Sequence, residues 1–199
     1  MTRRWLLALV GCWIGLAPAW CDEPPAAKMA FDSSQDRAVI EAVLHDLLTH
    51  RESPLARGMR NKQLLFTQTE PGDRFGLDTL IDPDYEKGWK KLPRGQFADA
   101  RKAAKQLMQR SAAKDAFKPF APDDPRILFH TAEQVIETRK KEFFAQIFRV
   151  SPPGYARDQK IALVHLWFPW SIHVGVATYM LVRRDDQWVI SIRQIIYYA

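Results

Sequence analysis

The stretch that decides the fold is KIALVHLWFPWSIHVGVATYMLVRRDDQWVISIRQIIYY, residues 160–198. Apolar residues occupy every second position within Ile172–Val182 and again within Trp188–Ile192. A period of two places such side chains on one face of a strand. The Pro169 break and the Asp185-Asp186 turn divide the stretch into three strands. The pattern predicts an antiparallel meander in which Trp188, Ile190 and Ile192 pack together against helices.

Helical and further strand patterns precede the meander. Val39–Leu48 and Phe97–Ala112 carry apolar residues three and four positions apart, which predicts amphipathic helices at 33–50 and 96–117. Shorter patterns predict strands at 64–70, 127–129 and 143–150 and a helix from Thr131 to Lys141. The expected fold class is α+β, with an antiparallel meander sheet of four to six strands packed on two or three helices.

The amino-terminal residues predict export. Arg3 and Arg4 precede the apolar run Trp5–Leu16, and Ala17-Pro18-Ala19 offers a signal-peptidase site. Twelve apolar residues are too few for a transmembrane helix, so we expect no membrane anchor after cleavage. The predicted organisation is a signal peptide at 1–19, a flexible tether at 20–32 and one α+β domain at 33–199 with an irregular insertion at 71–95. The expected location is the periplasm or the medium.

The cysteine count and the distribution of charge indicate which disulfides and binding partners to expect. Cys21 is the only cysteine beyond the signal peptide, so we expect no internal disulfide. It could be lipidated, pair with another chain or remain an idle thiol. The formal net charge is +6, and the basic residues concentrate between Lys87 and Lys118. Because no nucleic-acid motif accompanies them, we expect a solvated helix face or contact with an anionic surface or acidic envelope protein. That partner face would comprise Arg101, Lys102 and Lys105.

The polar side of the meander is the candidate ligand site. Its expected residues are His165, His173, Tyr179 and Arg193. His165 and His173 could approach each other across the Pro169 turn, yet a catalytic metal site needs a third ligand that the neighbouring strands do not offer. The sequence contains no nucleophile elbow, glycine-rich phosphate loop or calcium loop. We therefore assign no catalytic residues, metal or cofactor.

One segment resembles a known family. It contains Ser151, Gly154-Tyr155, Asp158 and Ala162-Leu163-Val164, followed by Gly175 and by Asp186-Gln187-Trp188. This order resembles a strand–turn–strand signature of uncharacterised exported bacterial proteins. The likeness covers about fifty residues and implies an exported α+β domain without known catalytic residues.

A more distant resemblance is to the cone-shaped fold of nuclear transport factor two, which includes ketosteroid isomerase. That fold also begins with an amphipathic helix and ends with long curved strands, and Asp186-Gln187-Trp188 fits its closing turn. Enzymes of this fold usually need a pocket carboxylate or an Asp–His pair. The chain has no acidic residue between Gln159 and Arg184.

Three functional hypotheses follow. The first is an exported, non-enzymatic binding or interaction domain for an unknown small ligand or envelope protein. The second is a small cone-fold enzyme, of isomerase, dehydratase or hydrolase type, that uses His165 or His173 as general base with Tyr179 or Arg193 as support. The third is an inhibitor or immunity-like protein that acts through the basic face on 87–118.

Overall fold

The computed structural model describes residues 33–50, 64–68, 94–112, 120–141, 147–170 and 173–198. The predicted signal peptide, the tether and Cys21 lie outside these ranges, and so does residue range 71–93 of the predicted insertion. The last two residues of that insertion, Arg94 and Gly95, belong to a helix. In the described ranges, no helix is both long and apolar enough to cross a membrane.

The described residues form an α+β fold, as the sequence predicts. The helices are α1 (Ser33–Thr49), α2 (Arg94–Ala112) and α3 (Ala132–Lys141). The strands are β1 (Leu64–Gln68), β2 (Ile127–Phe129), β3 (Ile147–Val150), β4 (Gly154–Ala156), β5 (Ile161–Trp170), β6 (His173–Arg184) and β7 (Gln187–Tyr198). All seven strands belong to one sheet, with the order β2-β1-β3-β5-β6-β7 and β4 paired to β5.

The sheet differs from a simple meander in two respects. Among the described residues it has seven strands instead of four to six, because the segment after Pro152-Pro153 adds the short strand β4 beside β5. It is also mixed, because β1 pairs in parallel with both β2 and β3. Parallel neighbours need crossover connections, and α2 and α3 lie in the chain segments that link these strands. The predicted antiparallel order holds from β3 through β7.

The sheet is covered on both faces. Val164 and Tyr179 belong to the apolar cluster that packs on α1, and we call their side of the sheet the α1 face. Leu163 and Met180 are the neighbouring residues on the same strands, and they belong to the cluster that packs on α2. We call the side of the sheet on which they lie the α2 face. Strands covered on both faces carry nearly continuous apolar runs, as β5 and the middle of β6 do.

A β-bulge corrects the expectation that Trp188, Ile190 and Ile192 share one face. Met180 pairs with Ile192 but Leu181 pairs with Ile190, which leaves Ser191 as an extra residue in β7. An extra residue shifts the alternation of side chains by one position. Trp188 and Ile190 therefore pack on the α1 cluster, whereas Ile192 packs on the α2 cluster.

Local signals place the β6–β7 turn and the start of α3 as predicted, whereas Pro169 belongs to β5 and pairs with Val174 instead of breaking the strand. Asp185 and Asp186 both have positive φ, 47° and 61°, which suits the two-residue turn between β6 and β7. Thr131 and Gln134 form a reciprocal capping box at the start of α3, with nitrogen–oxygen distances of 2.8 and 3.3 Å. The apolar stripe of α1 is buried from Val39 to Leu47.

Candidate functional site

His165 and Tyr179, two members of the sequence-predicted ligand site, lie on opposite faces of the sheet. His165 is paired with Thr178 on the α2 face, and its Nδ1 is 3.2 Å from the Thr178 hydroxyl. Tyr179 lies on the α1 face. Both side chains are buried. The expected exposed polar face is therefore not formed by these residues, because helices cover both sides of β5 and β6.

His173 and Arg193, the other two members, lie on β6 and β7. His173 begins β6 opposite Trp170, and the structure describes only its backbone pairing. Arg193 is paired in register with Tyr179 on the α1 face. Its guanidinium carbon lies 5.9 Å from the Tyr179 ring centroid. Tyr179 and Arg193 thus come together, but on the helix-covered α1 face and not on an exposed polar face.

The polar partners of Arg193 come from the end of α1. Its Nε donates to Oδ2 of Asp46 at 2.7 Å, and Nη2 donates to Oδ1 of the same carboxylate. Nη1 lies 3.2 Å from Nε2 of His50. Because a guanidinium only donates hydrogen bonds, this contact requires His50 Nε2 to be the acceptor. The result is a cluster of Asp46, His50, Tyr179 and Arg193 that ties α1 to β7, which we call the Arg193 cluster.

Burial and neighbouring charges shift the pKa values of Tyr179 and Arg193. Burial raises the pKa of Tyr179, the Asp46 carboxylate adds to this effect and Arg193 opposes it. The hydrogen bond with Asp46 raises the pKa of Arg193. Tyr179 therefore stays a neutral phenol and Arg193 a cation at neutral pH. The cluster presents one anion and one cation already paired.

An open groove of about 580 Å³ runs between α1 and β7 beside this cluster. Its lining is partly polar and partly apolar, and the polar part consists of carboxylates, an imidazole, a hydroxyl and a guanidinium. The lining residues are Glu41, Ala42, His45, Asp46, Thr49, Trp188, Val189, Ile190 and Arg193. Within the described ranges β7 is the last strand of the sheet order, so the groove lies at a sheet edge. We call it the α1–β7 groove.

Sequence reasoning missed Asp46, His50 and the contribution of Trp188 to the groove. Asp46 stands among the apolar residues of α1, and its partner Arg193 is 147 positions away. A signal existed in the sequence, because Glu41, His45 and Thr49 recur at four-residue intervals on one side of α1. Trp188 was assigned to the core, yet it is only half-buried.

The residues of the family-like signature hold the fold together. The Ser151 hydroxyl accepts a hydrogen bond from the His165 backbone nitrogen at 2.9 Å. A Cβ on Gly154 would lie 2.0 Å from the Ala103 carbonyl oxygen, so only glycine lets β4 approach α2 this closely. The hydroxyl of Tyr155 donates to Asp36 at 2.7 Å. At these three positions of the signature, the residues serve packing and hydrogen bonding between β4, β5 and the helices.

Asp36 is the centre of a buried polar network. Its two carboxylate oxygens accept hydrogen bonds from Arg110 at 3.0 and 2.6 Å. Arg110 is 2 % exposed and also donates to the Pro153 carbonyl. Asp36 lies in the first turn of α1, where a carboxylate commonly interacts with the free backbone N–H groups. The carboxylate, however, joins α1 to α2, which cover opposite faces of the sheet.

The predicted partner face lies on α2. Arg101, Lys102 and Lys105 are all exposed, whereas Ala103, Ala104 and Leu107 are buried against the sheet. Asp99 also belongs to this helix but forms an ion pair with Arg157 at 2.6 Å. The three cations therefore form an outward basic stripe.

In the ranges that the structure describes, no three His, Cys, Asp or Glu side chains converge as a metal site. The chain matches no protein-family model, no curated protein and no solved structure. The resemblances to exported bacterial proteins and to the cone fold remain predictions.

Proposed function

We propose that this chain is an exported, non-enzymatic binding domain whose ligand enters the α1–β7 groove. The observation that carries the proposal is the Asp46–Arg193 pair of the Arg193 cluster, whose two side chains are bound to each other in the wall of an open groove. Groups that are already oriented lose less conformational freedom when a ligand binds, which favours recognition. The half-buried Trp188 in the same lining adds a large apolar contact area.

The described contacts of His165 and His50 do not support the enzyme hypothesis. The enzyme hypothesis requires a histidine base within reach of Tyr179 or Arg193. His165 is buried on the other face of the sheet from both. His50 does contact Arg193, but through the nitrogen that accepts the arginine hydrogen bond. That nitrogen is therefore already engaged and is not presented to a substrate.

Native mass spectrometry of the protein purified from its source organism tests the proposal. We expect a bound species on the wild type, and its loss from His45→Ala, because His45 is exposed and lines the groove. Gln109→Ala is the matched control, since Gln109 is exposed on α2 away from this lining. The proposal fails if no species is bound or if both variants retain it equally.

A second candidate function rests on the basic stripe of Arg101, Lys102 and Lys105. Their common exposure favours contact with an acidic envelope protein, as the inhibitor or immunity-like hypothesis expects. Contacts between exposed charges weaken as ionic strength rises. Pull-down from envelope extract should then recover a partner at low salt and lose it at high salt. The triple exchange of these residues to glutamine should abolish recovery, and a partner that survives both changes would argue against this face.

A further inference from the structure

The lining of the α1–β7 groove combines apolar and hydrogen-bonding side chains, and both α1 and β7 contribute side chains of each kind. Ala42, Trp188 and Ile190 provide apolar surface, while Asp46, Thr49 and Arg193 provide hydrogen-bonding groups. A ligand that fits such a groove needs one apolar and one polar face. A sugar ring has both, because its C–H groups and its hydroxyls point in different directions. Aromatic side chains such as Trp188 are suitable stacking surfaces for the C–H face.

The charges of the groove compensate one another. Asp46 is paired with Arg193, and Glu41 is paired with Arg37 at 2.9 Å. A strongly charged ligand would have to compete with these existing pairs and would find no uncompensated carboxylate or guanidinium in this lining. An uncharged ligand can use the same groups as hydrogen-bond partners without disrupting the pairs. Hydrogen bonds to charged groups are also stronger than those between neutral groups.

The paired groups retain capacity for further hydrogen bonds. A guanidinium has five N–H donors. On Arg193 the contacts with Asp46 and His50 use three of them, and the Tyr179 hydroxyl is a further neighbour of the guanidinium. Each carboxylate oxygen of Asp46 can accept more than one hydrogen bond. The Thr49 hydroxyl donates to the His45 carbonyl at 2.7 Å and can still accept. Adjacent donors and acceptors of this kind match the hydroxyl pairs of a sugar.

From these features we infer that the α1–β7 groove binds an uncharged sugar ring, either free or within a glycan. The inference rests on the proposed function and gives its ligand a chemical class. Trp188 stacks on the C–H face of the ring, and Asp46 with Arg193 takes two neighbouring hydroxyls. The opening at the edge strand β7 leaves room for a longer glycan to continue into solvent.

Binding to an array of immobilised glycans tests the inference. The array carries neutral oligosaccharides and oligosaccharides rich in uronic acid, and free neutral monosaccharides serve as competitors. We expect binding to neutral probes, with at least a tenfold loss in Trp188→Leu and in His45→Ala. Trp188→Leu keeps an apolar side chain in the cluster but removes the stacking ring, His45→Ala changes an exposed position, and Gln109→Ala should bind as the wild type does. Competition by the monosaccharide indicates that a single ring suffices, whereas no competition indicates a glycan.

The alternative outcomes separate the inference from the proposal on which it rests. Two results would overturn the sugar inference and leave the groove as a binding site. The first is binding to acidic glycans alone. The second is no glycan binding while native mass spectrometry still shows a species that His45→Ala loses. Neutral-glycan binding that both groove variants retain overturns the sugar inference as well, because the sugar then binds elsewhere. Absence of any species in native mass spectrometry together with absence of glycan binding overturns both.

Discussion

Replacing Arg110 by methionine tests the buried network that joins α1 to α2. Arg110 donates two hydrogen bonds to Asp36, and the two side chains are 2 % and 10 % exposed. Arg110→Met would leave the Asp36 carboxylate buried with the Tyr155 hydroxyl as its remaining described partner. Breaking a buried ion pair from one side typically costs about 3–5 kcal/mol. This is a large part of the roughly 5–15 kcal/mol that stabilises a domain of this kind.

Urea denaturation followed by tryptophan fluorescence measures this cost. Lys140→Met is the matched control, because the ion pair of Lys140 with Glu137 is exposed and such pairs are worth about 0–1 kcal/mol. The double variant Asp36→Leu/Arg110→Met should be more stable than Arg110→Met, since no uncompensated charge remains. The reasoning is refuted if Arg110→Met costs no more than Lys140→Met, or if the double variant is the less stable of the two.

Three further predictions concern packing and protonation. Gly154→Ala should cost about 1–3 kcal/mol or more, because its Cβ would lie 2.0 Å from a carbonyl oxygen of α2. Gly95→Ala, whose Cβ would meet nothing closer than 3.6 Å, should not destabilise, and equal urea midpoints for the two variants would contradict this account. Trp188→Ala should lower the free energy of unfolding, but by less than the roughly 3–5 kcal/mol that the same substitution costs at a fully buried tryptophan, because Trp188 is half-buried. An unchanged urea midpoint would count against the packing of Trp188 on the α1 cluster. Burial raises the pKa of both Tyr155 and Tyr179, so their stabilising effect is complete below about pH 10 and is lost as the pH rises above it. Raising the pH from about 9 to about 11 should therefore lower the free energy of unfolding of the wild type more than that of the double variant Tyr155→Phe/Tyr179→Phe. Parallel pH profiles of the two proteins would contradict the burial of these phenols.

The parts of the fold that follow from local chemistry were predictable. The stripe of α1, the capping box of Thr131 and the Asp185-Asp186 turn each depend on residues a few positions apart. The extra residue in β7 was not predictable, because Ser191 fits a period-two strand by itself and the register shift exists only against β6. The parallel pairing of β1 likewise depends on partners distant in sequence.

The candidate site was predictable only in part. The pairing of Tyr179 with Arg193 follows from the hairpin, and the sequence analysis placed both in one site. Asp46 could not be assigned to the candidate site from the sequence, because its contact with Arg193 depends on how α1 packs against β7. His165 was misleading for a physical reason. A polar residue in a strand suggests an exposed face, yet this one is buried beside Thr178.

Chemical-shift mapping is the most direct test of the claim that the ligand enters the α1–β7 groove. Backbone amide spectra of the isotope-labelled protein would be recorded before and after addition of a fractionated envelope extract of the source organism. The account predicts shift changes concentrated around His45, Asp46 and Thr49 on α1 and around Trp188 and Arg193 on β7. Changes confined to the basic stripe of α2, or no changes with any fraction, would contradict it.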